Sequence, residues 1–240
     1  MSGYFTAILH GAVLTVGVSL AALLVAIILG LLGAAAKLSG HRPLVAIATL
    51  YTTIIRGIPE LVLMLLVFYG GSIGINNTIE WIANTAWMTQ LGWITTDTTV
   101  DIEPFTAGVL TIGFIYGAFM TETFRGAILS IPKGQMEAAW AFGMGRTRTF
   151  LRITAPQMVR YALPGFTNNW LVLIKATALV SLIGLQEMTY LAKQASSATR
   201  EPFIFFLFTA ALFLVYTSVS LYGLRKLNAH MSRGAVRGRL

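Results

Sequence analysis

Residues 12–36 carry no ionisable side chain. At ~1.5 Å per residue, a helix of that length crosses a hydrocarbon core of ~30 Å with room to tilt. The stretch Ala34-Ala35-Ala36 loosely resembles a signal-peptide cleavage site. The run is too long for one, however, and the segment before it offers His10 but no Lys or Arg, so it reads as a retained first span. The whole 240-residue chain fits this reading. It is 56% hydrophobic and only 11% charged, against about 25% charged residues in soluble domains. The fold class is therefore an all-α membrane protein, with 1–240 as a single transmembrane domain.

Four more apolar stretches follow. The second, from Pro43 to about Ile75, is interrupted by Arg56-Gly57-Ile58-Pro59-Glu60. It is either one helix kinked at Pro59 or a short interfacial helix followed by a span. Arg56 and Glu60 stand four apart and can pair if the helix is continuous. The third span runs from Pro104 to about Ile128, with Gly113, Gly117 and Ala118 as small packing residues and Glu122 and Arg125 at pairing distance near its end. The fourth, 163–184, holds Asn168, Asn169, Lys175, Thr177 and Ser181, polar groups expected to point away from lipid. The fifth starts at Pro202 and reaches about Leu224.

Loop charge sets the expected orientation. The connections 37–42 and 126–160 and the tail 225–240 hold most of the 17 Lys and Arg and a single acid, Glu137. The opposite connections, 76–103 and 186–201, offer only Lys193 and Arg200 but carry Glu80, Asp97, Asp101, Glu103, Glu187 and Glu201. Positive charge stays inside. The N-terminus is then expected outside and the C-terminus in the cytoplasm, with periplasmic loops 76–103 and 186–201. Trp81, Trp87 and Trp93 in the first of these suit a membrane–water interface. The net charge of +8 thus marks topology and gives no reason to expect nucleic acid. With Cys 0 and three His, there is no thiolate or clustered metal site to expect, and little for an enzyme to work with.

Between the third and fourth spans lies a polar, basic island, GQMEAAWAFGMGRTRTFLRITAP, from Gly134 to Pro156. Pro132 suits the start of a helix, the alanines extend it, and Gly143 permits the left-handed turn that stops it. Thr147 is placed to cap a second short helix towards Ile153. The prediction is helix, glycine turn, helix, with Ala138 and Ala139 on a small exposed face and Glu137 as its one carboxylate.

The spacing Glu137-Ala138-Ala139, Gly143, Ile153, Pro156 resembles the E-A-A loop of the membrane subunits of binding-protein-dependent ABC importers. The strings YTTIIRGIPELVLMLLVFYG, GFIYGAFMTETFRGAILSIPKGQMEAA and YALPGFTNNWLVLIKATALVSLIG extend the likeness across nearly the whole chain. They are similar to the polar amino-acid branch, in particular to Q-type permease subunits for histidine and lysine/arginine/ornithine and to opine permeases. The resemblance implies the type I importer permease fold in a bacterial inner membrane, with 130–160 as a cytoplasmic coupling loop. It implies a related second permease as heterodimer partner, two ATP-binding subunits and a periplasmic solute-binding protein. It also implies a substrate pathway at Asn168 and Asn169, where some relatives carry a glutamate at the second position, with Lys175 and Ser181 nearby. No G-x-x-x-x-G-K-[ST] loop occurs in this chain. It is expected to bind no cofactor itself, ATP and Mg belonging to the partner. The competing reading is an ion-gradient-driven secondary transporter or channel, with Arg56, Glu60, Glu122 and Lys175 as an ion relay.

Overall fold

The computed structural model describes residues 2–83 and 103–231. In chain order the helices are α1 (Ser2–Leu38), α2 (Arg42–Gly57), α3 (Glu60–Leu65), α4 (Gly71–Ala83), α5 (Pro104–Leu129), α6 (Lys133–Ala141), α7 (Arg146–Thr149), α8 (Ala155–Ala176), α9 (Met188–Thr199) and α10 (Pro202–Met231). A wide π turn, Leu66–Gly70, joins α3 to α4, another, Phe150–Thr154, joins α7 to α8, and a 3-10 turn, Thr177–Ile183, extends α8. Five of the resulting stretches are long and apolar enough to span a membrane: Ser2–Leu38, Glu60–Ile82, Pro104–Leu129, Arg146–Ile183 and Pro202–Met231.

The bundle is organised on α1 and α5. Along α1, Ala12, Thr15, Ser19, Ala22, Ala26, Gly30 and Ala34 recur every three or four residues and are buried. Leu20, Leu24, Ile28 and Leu32 on the other side are exposed. Lipid gives no reason to hide large aliphatic groups, so small residues take the interface and let the backbones approach. The approach is close: a Cβ on Gly30 would lie 2.5 Å from Met120 Cβ, and one on Gly113 would lie 2.6 Å from Val25 Cβ. α8 packs against α5, while α9 crosses the start of α1.

The chain breaks between α2 and α3. Ile58 is extended (φ −108, ψ 140), because the ring of Pro59 disfavours helical geometry in the residue before it. The short-helix alternative therefore holds, with the second span starting at Glu60. One expectation falls with it: Arg56 and Glu60 sit on different helices and do not pair. Glu60 instead accepts a hydrogen bond from the Tyr116 hydroxyl at 3.0 Å.

Two spans run past the boundaries read from the sequence inside the chain. The helix continues through Asn76, Glu80 and Trp81 to Ala83, because Ile75, Ile79 and Ile82 keep helical spacing across the polar residues. Trp87, Trp93, Asp97 and Asp101 lie outside the described residues, as do Arg233, Arg237 and Arg239 in the tail. The fourth span begins at Arg146 rather than near residue 163. Pro156 has no N–H to return to the preceding turn, and the wide turn Phe150–Thr154 absorbs the missing bond without ending the helix. Gly184 does end it, with φ +90. Glu187, counted from sequence as a loop acid, is 1% exposed.

Candidate functional site

The Gly134–Pro156 island folds into α6, a tight turn and α7. The Gly143 N–H donates to the Trp140 carbonyl at 2.9 Å, and the Met144 N–H donates to the Ala139 carbonyl at 3.0 Å. Gly143 has φ +77. These two bonds and the left-handed residue make a Schellman cap, in which the glycine stands four positions after the residue whose carbonyl accepts the outer bond, here from Met144. The Ala139–Gly143 spacing is thus the geometry of the turn itself. Ala139 is buried in it, at 4% exposure, so the expected small exposed face reduces to Ala138. Thr147 caps nothing: the second helix starts from extended Gly145, and Thr147 lies inside it, exposed.

What the turn presents is Glu137 and Ala138 on α6, followed by Trp140 at 52% exposure and Phe142 at 89%. Ile153 is half-buried and Pro156 exposed. The Gln157 side-chain amide donates to the Gln135 amide oxygen at 2.5 Å, tying α6 to the start of α8. The turn is thus joined to the fourth span by the helical stretch from Arg146 onward and by a side-chain bond.

The second polar group lies where α1, α2 and α5 meet. Glu122 accepts from Lys37 Nζ at 2.5 Å and from Arg125 Nη2 at 2.8 Å. The pairing of Glu122 with Arg125 matches the sequence expectation, while Lys37 could not be foreseen. Lys37 also donates to the Thr52 hydroxyl at 2.6 Å. Arg56 lies over the Phe119 ring, 5.6 Å from its centroid. Lys37, Thr52, Arg56, Phe119, Glu122 and Arg125 line an open polar cleft of about 500 Å³. Among the described residues, Arg56, Glu60, Glu122 and Lys175 share no hydrogen bond or ion pair with one another.

The polar residues of α8 separate into two sets. Asn169 is 9% exposed, and its amide donates to the Thr123 hydroxyl at 2.9 Å. Asn168 and Lys175 are exposed, on the face that also carries Pro164 and Val172. That face turns away from the chain's own bundle. Ser181 is half-buried and donates to the Ala178 carbonyl.

Sequence reasoning missed Glu187. Its carboxylate caps α9, accepting from the Tyr190 N–H at 2.9 Å, and takes the Thr15 hydroxyl of α1 at 3.0 Å. Glu187 lies outside the five spans, and burial pushes its carboxyl above the usual range against those hydrogen bonds. The available signal was Thr15, a polar residue in an otherwise apolar span.

Five spans, with α1 and α5 packed on a glycine seam and a capped polar turn between the third and fourth, define a membrane-embedded permease subunit. The chain belongs to the family of binding-protein-dependent transport system inner membrane components, whose model matches residues 22–229. It is 47% identical over 218 residues to the histidine/lysine/arginine/ornithine transport system permease protein HisQ of Salmonella typhimurium, covering 91% of this chain and 90% of that one. It is 39% identical over 230 residues to the octopine transport system permease protein OccQ of Rhizobium radiobacter, covering 96% and 92%. A chain from a crystal structure of an amino acid ABC transporter with histidines superposes with a TM-score of 0.76 at 27% identity, covering 96% of both chains. The fold is that of type I ABC importer permeases.

Proposed function

We propose that this chain is half of the membrane pathway of an ATP-driven importer for polar or basic amino acids, or for a related opine. It works in a bacterial inner membrane with its N-terminus outside and its C-terminus in the cytoplasm. A second, related permease supplies the other half, two ATP-binding subunits supply the energy with their own ATP and Mg, and a periplasmic binding protein delivers the substrate.

The observation that carries this reading is the capped turn at Gly143. Its exposed Glu137, Ala138, Trp140 and Phe142 form a docking face on the basic side of the chain, mechanically joined to α8. Closure of the ATPase pair pushes that face, and α8 moves with it. Asn168 and Lys175, exposed on α8, then face the second permease and line the path between the two subunits. Asn169 holds α8 to α5 from the other side and sets the position of that lining. The names of the relatives support a cationic substrate. Asn169 is a neutral amide and α8 holds no Asp or Glu, so the partner permease is the proposed source of a carboxylate for the cation.

Uptake by the assembled complex in proteoliposomes tests the reading. Abolishing hydrolysis in the ATPase partner stops uptake if it is correct. Uptake that persists, driven by an imposed ion gradient, contradicts it.

A further inference from the structure

The cleft between α1, α2 and α5 has a charge imbalance that its own contacts leave open. Three cations, Lys37, Arg56 and Arg125, line it with one carboxylate, Glu122. Two of the three are already committed to that carboxylate. Arg56 is the remainder. Among the described residues it makes no ion pair and no hydrogen bond, and its guanidinium rests on the Phe119 ring. A guanidinium beside a ring still offers its N–H fork, which matches the two oxygens of a carboxylate or phosphate. Arg56 is exposed and lies on α2, outside the five spans, so its charge is open to an anionic partner from the surroundings. The cleft is open and holds about 500 Å³, ample for an oxyanion with its hydration. Lys37, donating to Thr52 as well as to Glu122, adds positive potential on the far wall.

We propose that this cleft is an oxyanion site centred on Arg56. Its ligand is a carboxylate or phosphate group, presented either by the α-carboxylate of a transported amino acid or by the headgroup of an anionic phospholipid. The amino-acid source rests on the importer reading; the lipid source does not.

Equilibrium binding to the purified, intact complex in detergent tests the site without requiring transport. The variants are Arg56→Gln and Arg56→Lys, and two probes are used. In the first arm, L-arginine and octopine are compared with agmatine, which lacks the α-carboxylate. A substrate source predicts that wild type prefers the carboxylate-bearing compound by about tenfold, the size of one charge-assisted hydrogen bond, and that Arg56→Gln removes the preference while Arg56→Lys keeps part of it. In the second arm, retention of phosphatidylglycerol is read by native mass spectrometry. A lipid source predicts retention in wild type and its loss in Arg56→Gln. Either pattern supports the site. Arg56→Gln behaving as wild type in both arms overturns it. Loss of the second permease from the purified Arg56→Gln complex also overturns it, since Arg56 would then be a tie across the subunit boundary. Failure of the importer reading is seen separately, as wild-type uptake that does not need ATP.

Discussion

Two glutamates meet opposite halves of α1, and the protein treats them differently. Glu122, facing the Lys37 end, keeps 18% of its side chain exposed and is gripped by two cations. Glu187, against the Thr15 end, is 1% exposed and meets only neutral donors, a hydroxyl and backbone N–H groups. The first is held as an ion. The second is held as a hydrogen-bond acceptor, and its burial favours the proton. The contrast extends to the surroundings. The Thr15 end is closed by a dry cluster of Ile8, Ala12, Met188, Ala192, Ala195 and Phe205, whereas the Lys37 end opens into the polar cleft. One side of the bundle is packed with apolar groups; the other keeps its charges in an open cleft.

The sharpest way to break this comparison is to remove each charge while keeping the shape. Glu122→Gln leaves Lys37 and Arg125 without a counter-charge. It should cost about 2 kcal/mol, between the values for exposed and buried pairs, and lower the thermal midpoint of the purified complex. Glu187→Gln keeps an acceptor for the α9 cap and should cost less than about 1 kcal/mol. Equal losses in the two variants would mean that Glu187 is also held as an ion.

A smaller effect is read from pH. With the folded carboxyl raised, the native state holds a proton that the unfolded chain has already released above the usual value of 4.5. Stability contributed by Glu187 is then full below pH 4.5 and lost as pH rises through the folded value. Thermal midpoints of wild type should fall with pH across that window relative to Glu187→Gln. Parallel profiles would show that the carboxyl is not displaced.

The last comparison lies within α8. Asn169→Ala should cost about 1 kcal/mol through the lost bond to Thr123, with little change in the KM for uptake. Asn168→Ala should leave stability unchanged and alter KM a few-fold. The reverse assignment would place Asn169, not Asn168, on the path.

How much of this could be read beforehand depended on whether the deciding contacts were local. The capped turn was legible because a Schellman cap fixes the spacing of Ala139 and Gly143 within one stretch of chain. The same locality made the Glu122–Arg125 pair and the stop at Gly184 legible. The choice at Pro59 stayed open, since the apolar pattern continues on both sides of the break and only backbone geometry separates a kink from a stop. Thr147 was misplaced because either Gly145 or Thr147 can begin the helix, and the extended residue turned out to be the glycine. Glu187 was missed because its burial depends on Thr15, 172 residues away. The split between Asn168 and Asn169 needed the position of α5, which no spacing within α8 reveals.

The account rests on the capped turn as the point where another subunit's work enters the membrane. The chain has no native cysteine, so Ala138→Cys gives a single reactive thiol on the exposed side of α6. Cross-linking in intact membranes with a short bifunctional reagent, with the ATPase co-expressed, measures the contact directly. The account predicts one product containing this chain and the ATPase, lost when Gly143→Val distorts the turn. No such product, in a complex that still takes up substrate at the normal rate, would contradict it.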